Sequence, residues 1–299
     1  MKHLLCLALL CATLPTTLNT IEPAPETIDV PIIMYHSLAG DIGNTSISKE
    51  AFEADLQYLQ EAGFQSVTIA QLADFIHHGT QLPPRPIVLT FDDGYWNNYT
   101  VGFPLAAEYN MPIVVSVIGN DTEIWSDNGA KDERHGHLTW AEIRDMHASD
   151  YVEFGNHTWD LHKTTHSRRG IAINPGENVV AYQSTLKDDL GRLQAELLSR
   201  CAITPVTFVY PFGATCPEAL PILKEMGFQA TLTCGGNINK ITRNNPDTLF
   251  ELGRFERTPT CSVQDILERI LPPTTPSPEN LGSETPALAG PAHTLPPRQ

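Results

Sequence analysis

The sequence predicts an α/β fold, a distorted (β/α) barrel of about seven parallel strands. Two observations lead to this prediction. Short apolar runs rich in strand-forming residues recur along the chain, and segments with helical periodicity lie between most of them. Strands that alternate with helix-length segments form βαβ units, whose strands pair in parallel. Seven such runs in about 240 residues favour a barrel of the TIM type over an open sheet.

The strands are predicted at residues 30–34, 66–69, 86–91, 112–118, 151–154, 205–210 and 230–233. The helices are predicted at residues 49–62, 69–77, 104–109, 140–147, 181–200 and 217–226. Thr139 and Glu142 stand in the order of a capping box, which predicts a helix start at Trp140. Residues 119–137 and 163–178 are long and polar. We expect both to be loops at the carboxyl ends of the strands, where barrel active sites lie.

The two ends of the chain differ in composition from the part between them. Residues 1–20 combine a basic start with about eleven apolar residues, which is typical of a signal peptide and too short for a membrane span. Cleavage is expected between Thr16 and Glu22, and retention as an anchor stays open. Residues 21–29 are predicted to be a linker, 30–271 a folded domain, and 272–299 a disordered tail rich in Pro, Thr and Ser. We therefore expect a secreted or envelope-associated protein without an integral membrane span.

The net charge limits the kinds of partner that the protein could bind, and the cysteine spacing limits the kinds of metal site and disulfide. The net charge of −16 argues against nucleic acid and against an anionic membrane surface as partners. Cysteines after the leader stand at positions 201, 216, 234 and 261, without the spacing of a structural zinc site. Export permits disulfides, so free buried thiols and a single bridge remain equal alternatives. The sequence leaves the oligomeric state open.

Two short segments carry the candidate chemistry. Asp92 and Asp93 directly follow an apolar run, and adjacent residues that leave a strand point in opposite directions, so the two carboxylates should do different jobs. His157 and His162 are five residues apart and could not face one ion from a helix, so a loop must turn both rings inward. One carboxylate and two imidazoles are the ligands of a catalytic zinc-type site with an open position. The other carboxylate is then free to act as a general base.

These segments resemble the polysaccharide deacetylases of the NodB-homology family, carbohydrate esterase family 4. Residues 90–95, TFDDGY, resemble the first motif of the family, and residues 156–162, NHTWDLH, resemble the longer H-T-x-x-x-H form of the second motif. That form is similar to the exported poly-N-acetylglucosamine deacetylases. The resemblance covers roughly residues 30–271. It implies a NodB-type barrel, Asp92 as the base, and one divalent ion, expected to be Zn²⁺, on Asp93, His157 and His162.

Residues 210–213, YPFG, resemble the third motif of the family. The resemblance implies that the backbone N–H of Phe212 binds the oxyanion, a contribution of a few kcal/mol in acyl transfer. Tyr210 and Pro211 are expected beside the substrate. Tyr95 and Trp159 are expected to form sugar-stacking rims.

Three departures from the family pattern matter. Val209 stands where an arginine usually tunes the catalytic aspartate, the downstream acidic motif is not visible, and the C-terminal Leu-x-His is absent. The resemblance instead implies His36, which ends the first predicted strand, as the general acid. Arg254, in residues 252–255, where a last strand beyond those listed above is expected, is the candidate for the tuning arginine, with a surface arginine as the alternative.

The resemblance implies a hydrolase that removes N-acetyl groups from a glycan containing N-acetylglucosamine, such as peptidoglycan, poly-N-acetylglucosamine or a chitin-like polymer. Three alternatives remain open at this stage. The chain could be an O-acetyl esterase, a hydrolase of another amide on the same fold, or a glycan-binding relative without catalysis.

Overall fold

The computed structural model describes residues 26–40, 43–165 and 168–272. The predicted leader, most of the predicted linker and nearly all of the predicted tail lie outside these residues. The strands are β1 (Thr27–Val30), β2 (Ile32–Tyr35), β3 (Gln65–Ser66), β4 (Pro86–Phe91), β5 (Ile113–Val117), β6 (Val152–Asn156), β7 (Thr207–Val209), β8 (Ala230–Leu232), β9 (Asn239–Thr242) and β10 (Phe255–Glu256).

The α-helices are α1 (Lys49–Glu61), α2 (Ile69–His78), α3 (Phe103–Glu108), α4 (Gly119–Asn128), α5 (Trp140–His147), α6 (Val179–Cys201), α7 (Ala219–Glu225) and α8 (Val263–Ile270). A π-helical turn at Asn98–Gly102 precedes α3, and short 3₁₀ turns lie at Pro211–Gly213 and Pro246–Leu249. The capping box predicted at Thr139 is confirmed, since its side chain and that of Glu142 each bond the backbone of the other.

Seven parallel strands form the main sheet in the spatial order β10-β2-β4-β5-β6-β7-β8. The short strand β3 pairs with the start of β4 beside this path, and β1 pairs with β9 in a separate antiparallel ribbon. The main sheet curls into a half-barrel, which confirms the predicted α/β fold and its parallel strands. Six of the seven predicted strands lie on the path, and β10 supplies the seventh.

Strand β4 shows how the sheet delivers polar residues to the interior. All six of its residues are buried, as expected for a parallel sheet covered on both faces. Ile87 and Phe91 pack against the helices, whereas Val88 lies in the cluster inside the half-barrel. Because side chains alternate along a strand, Thr90 and then Asp92 continue on the interior side.

The segment 252–256 links the two edges of the half-barrel. Leu252 forms a parallel bridge with Leu232 of β8, and the following residues, β10, pair with β2. Arg254 stands between these two contacts and is 1% exposed. The alternative that Arg254 is a surface residue is therefore wrong.

Two predicted irregular segments contain regular structure. The predicted linker ends earlier than expected, because Thr27–Val30 is a strand. The predicted loop 119–137 begins with α4, which ends at Gly129 in the left-handed conformation. Only Gly119 and Thr122 of α4 are buried, so the helix presents almost no apolar periodicity from which a sequence pattern could predict it.

Within the described ranges, no helix has both the length and the apolar character needed to cross a bilayer. The four described cysteines, at positions 201, 216, 234 and 261, are free thiols. Of the two alternatives left open by the sequence, the structure therefore has thiols and no bridge among these four residues.

Candidate active site

Asp92 and Asp93 leave β4 through a tight turn that separates their side chains. Asp93 has a φ of 70° and Gly94 a φ of 67°, both in the left-handed region, which is uncommon for a residue with a side chain. A Cβ atom at Gly94 would lie 2.9 Å from Val117 Cγ1, so the turn requires glycine there. The two carboxylates consequently face different partners, as the sequence predicted.

Asp92 is held by Arg254 in a buried two-pronged ion pair. The Nη1 and Nη2 atoms of Arg254 donate to the two carboxylate oxygens at 2.7 and 2.8 Å. The guanidinium is in turn fixed by the Thr90 hydroxyl at 3.1 Å and by the Thr233 carbonyl, which accepts from Nε at 2.9 Å. Each carboxylate oxygen has two acceptor positions, so Asp92 can bind Arg254 and still accept a proton from the cavity that it lines.

Asp93 faces the two histidines. Its Oδ1 atom lies 3.5 Å from His157 Nε2 and 3.4 Å from His162 Nε2. The loop that carries the histidines is anchored by Asp189 of α6, whose carboxylate accepts from the backbone N–H groups of Trp159 and Asp160 at 2.8 and 2.9 Å. The loop therefore turns both imidazoles toward one carboxylate, as the five-residue spacing predicted.

The geometry of these three side chains fits one divalent ion. Their ligand atoms all lie within 4.8 Å of one another. Two bonds of about 2.1 Å at a tetrahedral angle place ligand atoms about 3.4 Å apart, which is close to the observed separations. His157 Nδ1 lies 2.9 Å from the Val209 carbonyl and must donate to it, which leaves Nε2 as the metal-binding nitrogen. Asp93, His157 and His162 can therefore hold a divalent metal ion.

The charges in the site suit this arrangement. Burial raises the pKa of Asp92, but the charge and hydrogen bonds of Arg254 outweigh it, so the pKa lies below its ordinary value. Burial likewise opposes ionisation of Asp93, but His157 and then His162 hold its pKa well below the usual range. Burial and the neighbouring His157 lower the pKa of His162. For His157, burial lowers the pKa, but the two aspartates reverse the effect and raise it.

Phe212 approaches the histidines from the third motif. Its ring centroid lies 4.4 Å from that of His162, and its φ of 58° is left-handed. A Cβ atom at Gly170 would lie 2.8 Å from the Pro211 carbonyl oxygen, so residues 168–170 pack closely on this turn. Arg169 Nη2 also donates to the Phe212 carbonyl at 3.3 Å. The strained turn is thus held from the side of the predicted rim loop.

His36 lies at the end of β2 in the same site. A cavity of about 420 Å³ opens here, lined by Met34, His36, Thr45, Asp92, Asp93, His157, His162, Arg169, Phe212, Cys234 and Glu256. The Nδ1 atom of His36 is buried and has no hydrogen-bond partner among the described residues. The structure therefore brings His36 together with the base and metal-ligand candidates, while its role stays a prediction.

Three of the predicted substrate contacts have buried side chains, and their contact with substrate stays a prediction. Trp159 is 4% exposed and belongs to the core, with the guanidinium of Arg192 stacked 3.8 Å from a ring centroid. Tyr210 is fully buried, and Pro211 is buried as well. Position within a motif suggested contact with substrate, but these side chains point into the packing that supports the motif. Tyr95 is half-buried beside Asp93 and remains a predicted substrate contact.

The sequence favours a solvated loop residue at His137, and the structure gives His137 a place in the site. Its Nδ1 atom lies 3.0 Å from the Asp93 carbonyl, and its ring stacks on Tyr95 with centroids 4.9 Å apart. A single histidine in a polar segment carries no spacing signal. Cys234 and Glu256 also line the cavity. No sequence pattern predicts this, because only the curl of the sheet brings these residues to the site.

The sequence profile of one family, polysaccharide deacetylase, matches residues 79–231, which include the metal-ligand candidates and the third motif. The chain belongs to the polysaccharide deacetylase family.

Known polysaccharide deacetylases resemble this chain over most of its described length. The poly-beta-1,6-N-acetyl-D-glucosamine N-deacetylase of Escherichia coli is 26% identical over 270 residues, covering 83% of this chain but 39% of its own length. The chain thus spans about two fifths of that relative. IcaB from Ammonifex degensii is 26% identical with a TM-score of 0.65, covering 77% of this chain and 92% of that chain.

A de-N-acetylase from Aggregatibacter actinomycetemcomitans is 22% identical with a TM-score of 0.71, covering 81% of this chain and 99% of that chain. This likeness supports the fold.

We predict that Asp93→Ala abolishes stoichiometric metal binding, because it removes the only anionic ligand of the three. Metal content after dialysis against Zn²⁺ should fall from one ion per chain to near zero. Asp160→Ala is the matched control, since its carboxylate pairs with Lys163 in the same loop and its removal should leave metal content unchanged. One tightly retained ion in Asp93→Ala would show that the ion binds elsewhere.

Proposed function

We propose that this polysaccharide deacetylase hydrolyses the acetamide of N-acetylglucosamine residues in a glycan, with a single divalent ion, Zn²⁺, at Asp93, His157 and His162. One observation carries the proposal. The adjacent carboxylates are divided between two tasks, because Arg254 holds Asp92 out of the ligand set while Asp93 faces both imidazoles. A metal-dependent hydrolase needs this combination of a ligand set and a separate base.

The ion would act as a Lewis acid that polarises the acetyl carbonyl and lowers the pKa of water toward neutrality. Asp92 takes the proton from the attacking water, because it is ionised, lines the cavity and has acceptor positions beyond those that Arg254 occupies. The Phe212 N–H donates to the oxyanion that develops on the carbonyl oxygen. The Pro211 carbonyl, in the same peptide group as the Phe212 N–H, accepts from the Ala214 N–H at 3.1 Å, which supports this role by fixing the direction of the Phe212 N–H.

His36 supplies the proton that the leaving amine requires. An amine leaves poorly as an anion, so cleavage of the C–N bond needs an acid in reach of the nitrogen. His36 lines the cavity that also contains Asp92, and its Nδ1 atom makes no competing hydrogen bond among the described residues. The products are then acetate and the free amino sugar, and the enzyme is restored when Asp92 loses a proton and His36 gains one.

Poly-N-acetylglucosamine is the substrate that we favour within this class. The support is the similarity to the poly-beta-1,6-N-acetyl-D-glucosamine N-deacetylase of E. coli, together with a net charge of −16 that suits a neutral polymer whose product is a cation. We also propose that the protein acts outside the cytoplasm, as the apolar segment after Met1 suggests.

Acetate release across a panel of polymers tests the proposed function. With Zn²⁺ present, we expect release from β-1,6-linked N-acetylglucosamine oligomers and little from acetylated xylan. Asp92→Asn should lower turnover by about 10²–10⁴-fold with metal content unchanged, because it removes the base and spares the ligands. Near-normal acetate release by Asp92→Asn would refute the role of the base. Release from O-acetyl polymers alone would refute the N-deacetylase assignment.

Arg254 offers a separate prediction. Arg254→Met removes the buried partner of Asp92 and should reduce kcat at least tenfold while the protein still binds one ion, because the ligands are unchanged. Arg254→Lys keeps the charge but loses the two-pronged geometry, so its kcat should lie between that of Arg254→Met and that of the natural protein. Arg192→Met, at the buried Trp159 ring, is a control of the same size change away from Asp92. Equal kcat in Arg254→Met and the natural protein, with both folded, would contradict the assignment.

A further inference from the structure

The residues that follow the base reach back to the segment that carries the acid. β2 and β4 are neighbours, and their ladder ends where the Asp92 N–H donates to the Tyr35 carbonyl at 3.0 Å. The next carbonyl, that of His36, accepts no bond from the β4 backbone. It accepts instead from the side chain of Asn98, whose Nδ2 atom lies 3.0 Å away.

Asn97 binds the residues directly after His36. Its Oδ1 atom accepts from the Leu38 N–H at 2.8 Å, and its Nδ2 atom donates to Ser37 Oγ at 2.9 Å and to the Glu133 carbonyl at 2.9 Å. Asn97 Oδ1 also accepts from Asn98 Nδ2 at 3.3 Å. Asn97 therefore uses all four of its hydrogen-bonding positions, and three of these bonds concern the His36 segment or the adjacent Asn98.

Burial and backbone geometry show that this pair is built into the fold. Asn97 is 1% exposed and Asn98 fully buried. Asn98 opens a π-helical turn, in which the Phe103 N–H bonds the Asn98 carbonyl five residues back, and such turns are rare and frequent at functional sites. The Oδ1 atom of Asn98 has no hydrogen-bond partner among the described residues. An unpaired buried amide oxygen disfavours stability, so stability alone does not explain why asparagine stands there.

We propose that Asn97 and Asn98 are positioning residues for His36 and fix the acid relative to the base. The inference rests on the proposed function, because it assigns the pair a role through His36. Asp92 and the two asparagines belong to one short stretch, 92–98, so hydrogen bonds from that stretch to residues 36–38 tie the two proton-transfer groups to a common frame. Loss of either asparagine leaves Asp92, Arg254 and the metal ligands in place and frees the backbone that carries His36.

A double-mutant cycle tests this proposal with the full chain loaded with Zn²⁺. Asn98→Ala and Asn97→Ala are each made in the natural protein and in His36→Ala, and acetate release from an N-acetylglucosamine oligomer is measured. In the natural background we expect kcat to fall by at least tenfold with KM and metal content nearly unchanged. In the His36→Ala background we expect a further change of less than about twofold, since residues that act through one group are not additive.

Two further variants keep the result independent of folding. Ser37→Ala removes the hydroxyl that accepts from Asn97 Nδ2, with little change of volume. It should lower kcat less than the asparagine variants do, and this loss should also vanish in the His36→Ala background. Asn178→Ala removes the side-chain cap of α6, which lowers stability, and should leave kcat unchanged.

The outcomes separate the two claims. If the asparagine variants lower kcat by the same factor in both backgrounds, or if Ser37→Ala leaves kcat unchanged in the natural background, the positioning role is wrong while the proposed function stands. If His36→Ala itself leaves kcat unchanged, the acid assignment in the proposed function is wrong, and the positioning role falls with it.

Discussion

The buried ion pair between Asp92 and Arg254 is the constraint on which the rest of the site depends. Two adjacent carboxylates next to two imidazoles could both bind a metal ion, and a site of that kind would lack a base. Arg254 prevents this by binding both oxygens of Asp92 at 2.7 and 2.8 Å. A buried guanidinium without its carboxylate would be strongly destabilising, so the fold itself keeps Asp92 away from the histidines.

The half-barrel provides the position of that arginine. Arg254 lies on segment 252–256, which bonds β8 through Leu252 and continues into β10 beside β2. The guanidinium therefore reaches Asp92 from the seam between the two edges of the sheet. In the family pattern implied by the first motifs, a tuning arginine is expected where Val209 stands. Here that position holds valine, and the guanidinium beside Asp92 comes from Arg254.

Strained backbone marks the three segments that meet at the site. Asp93, Thr158 and Phe212 have left-handed φ angles of 70°, 75° and 58°, one in each motif. Such conformations cost of order 1–3 kcal/mol each for residues with a side chain. They persist because their surroundings hold them, as Asp189 does for the histidine loop and Arg169 for Phe212. At these three positions the left-handed backbone sets the direction of groups that face the site; Asn110, Ala202, Asn244 and Glu251 are left-handed elsewhere in the fold.

The sequence predicted the parts of the site that depend on local pattern. The different directions of the Asp92 and Asp93 side chains follow from the alternation of side chains along β4. The inward turn of both histidines follows from their spacing. The same approach does not show that the Trp159 and Tyr210 side chains are buried, because whether an aromatic side chain packs inward or lines a rim depends on neighbours distant in the chain.

Long-range contacts explain the other gaps. Asn98 reaches His36 across 62 residues, and Asp189 reaches Trp159 across 30, and neither contact leaves a periodic signal. α4 was missed because a surface helix with two buried residues carries almost no apolar pattern. Arg254 is predictable only from the family pattern, which expects an arginine at the position that Val209 occupies.

Anomalous diffraction from crystals grown with Zn²⁺ tests the central claim most directly. The account predicts one zinc peak per chain, with Asp93 Oδ1, His157 Nε2 and His162 Nε2 each about 2.0–2.2 Å from the ion. It further predicts that Asp92 stays on Arg254, with neither of its oxygens bound to the ion. A zinc ion ligated by Asp92, or an Asp92 carboxylate released from Arg254 when zinc is bound, would contradict the division of the two carboxylates.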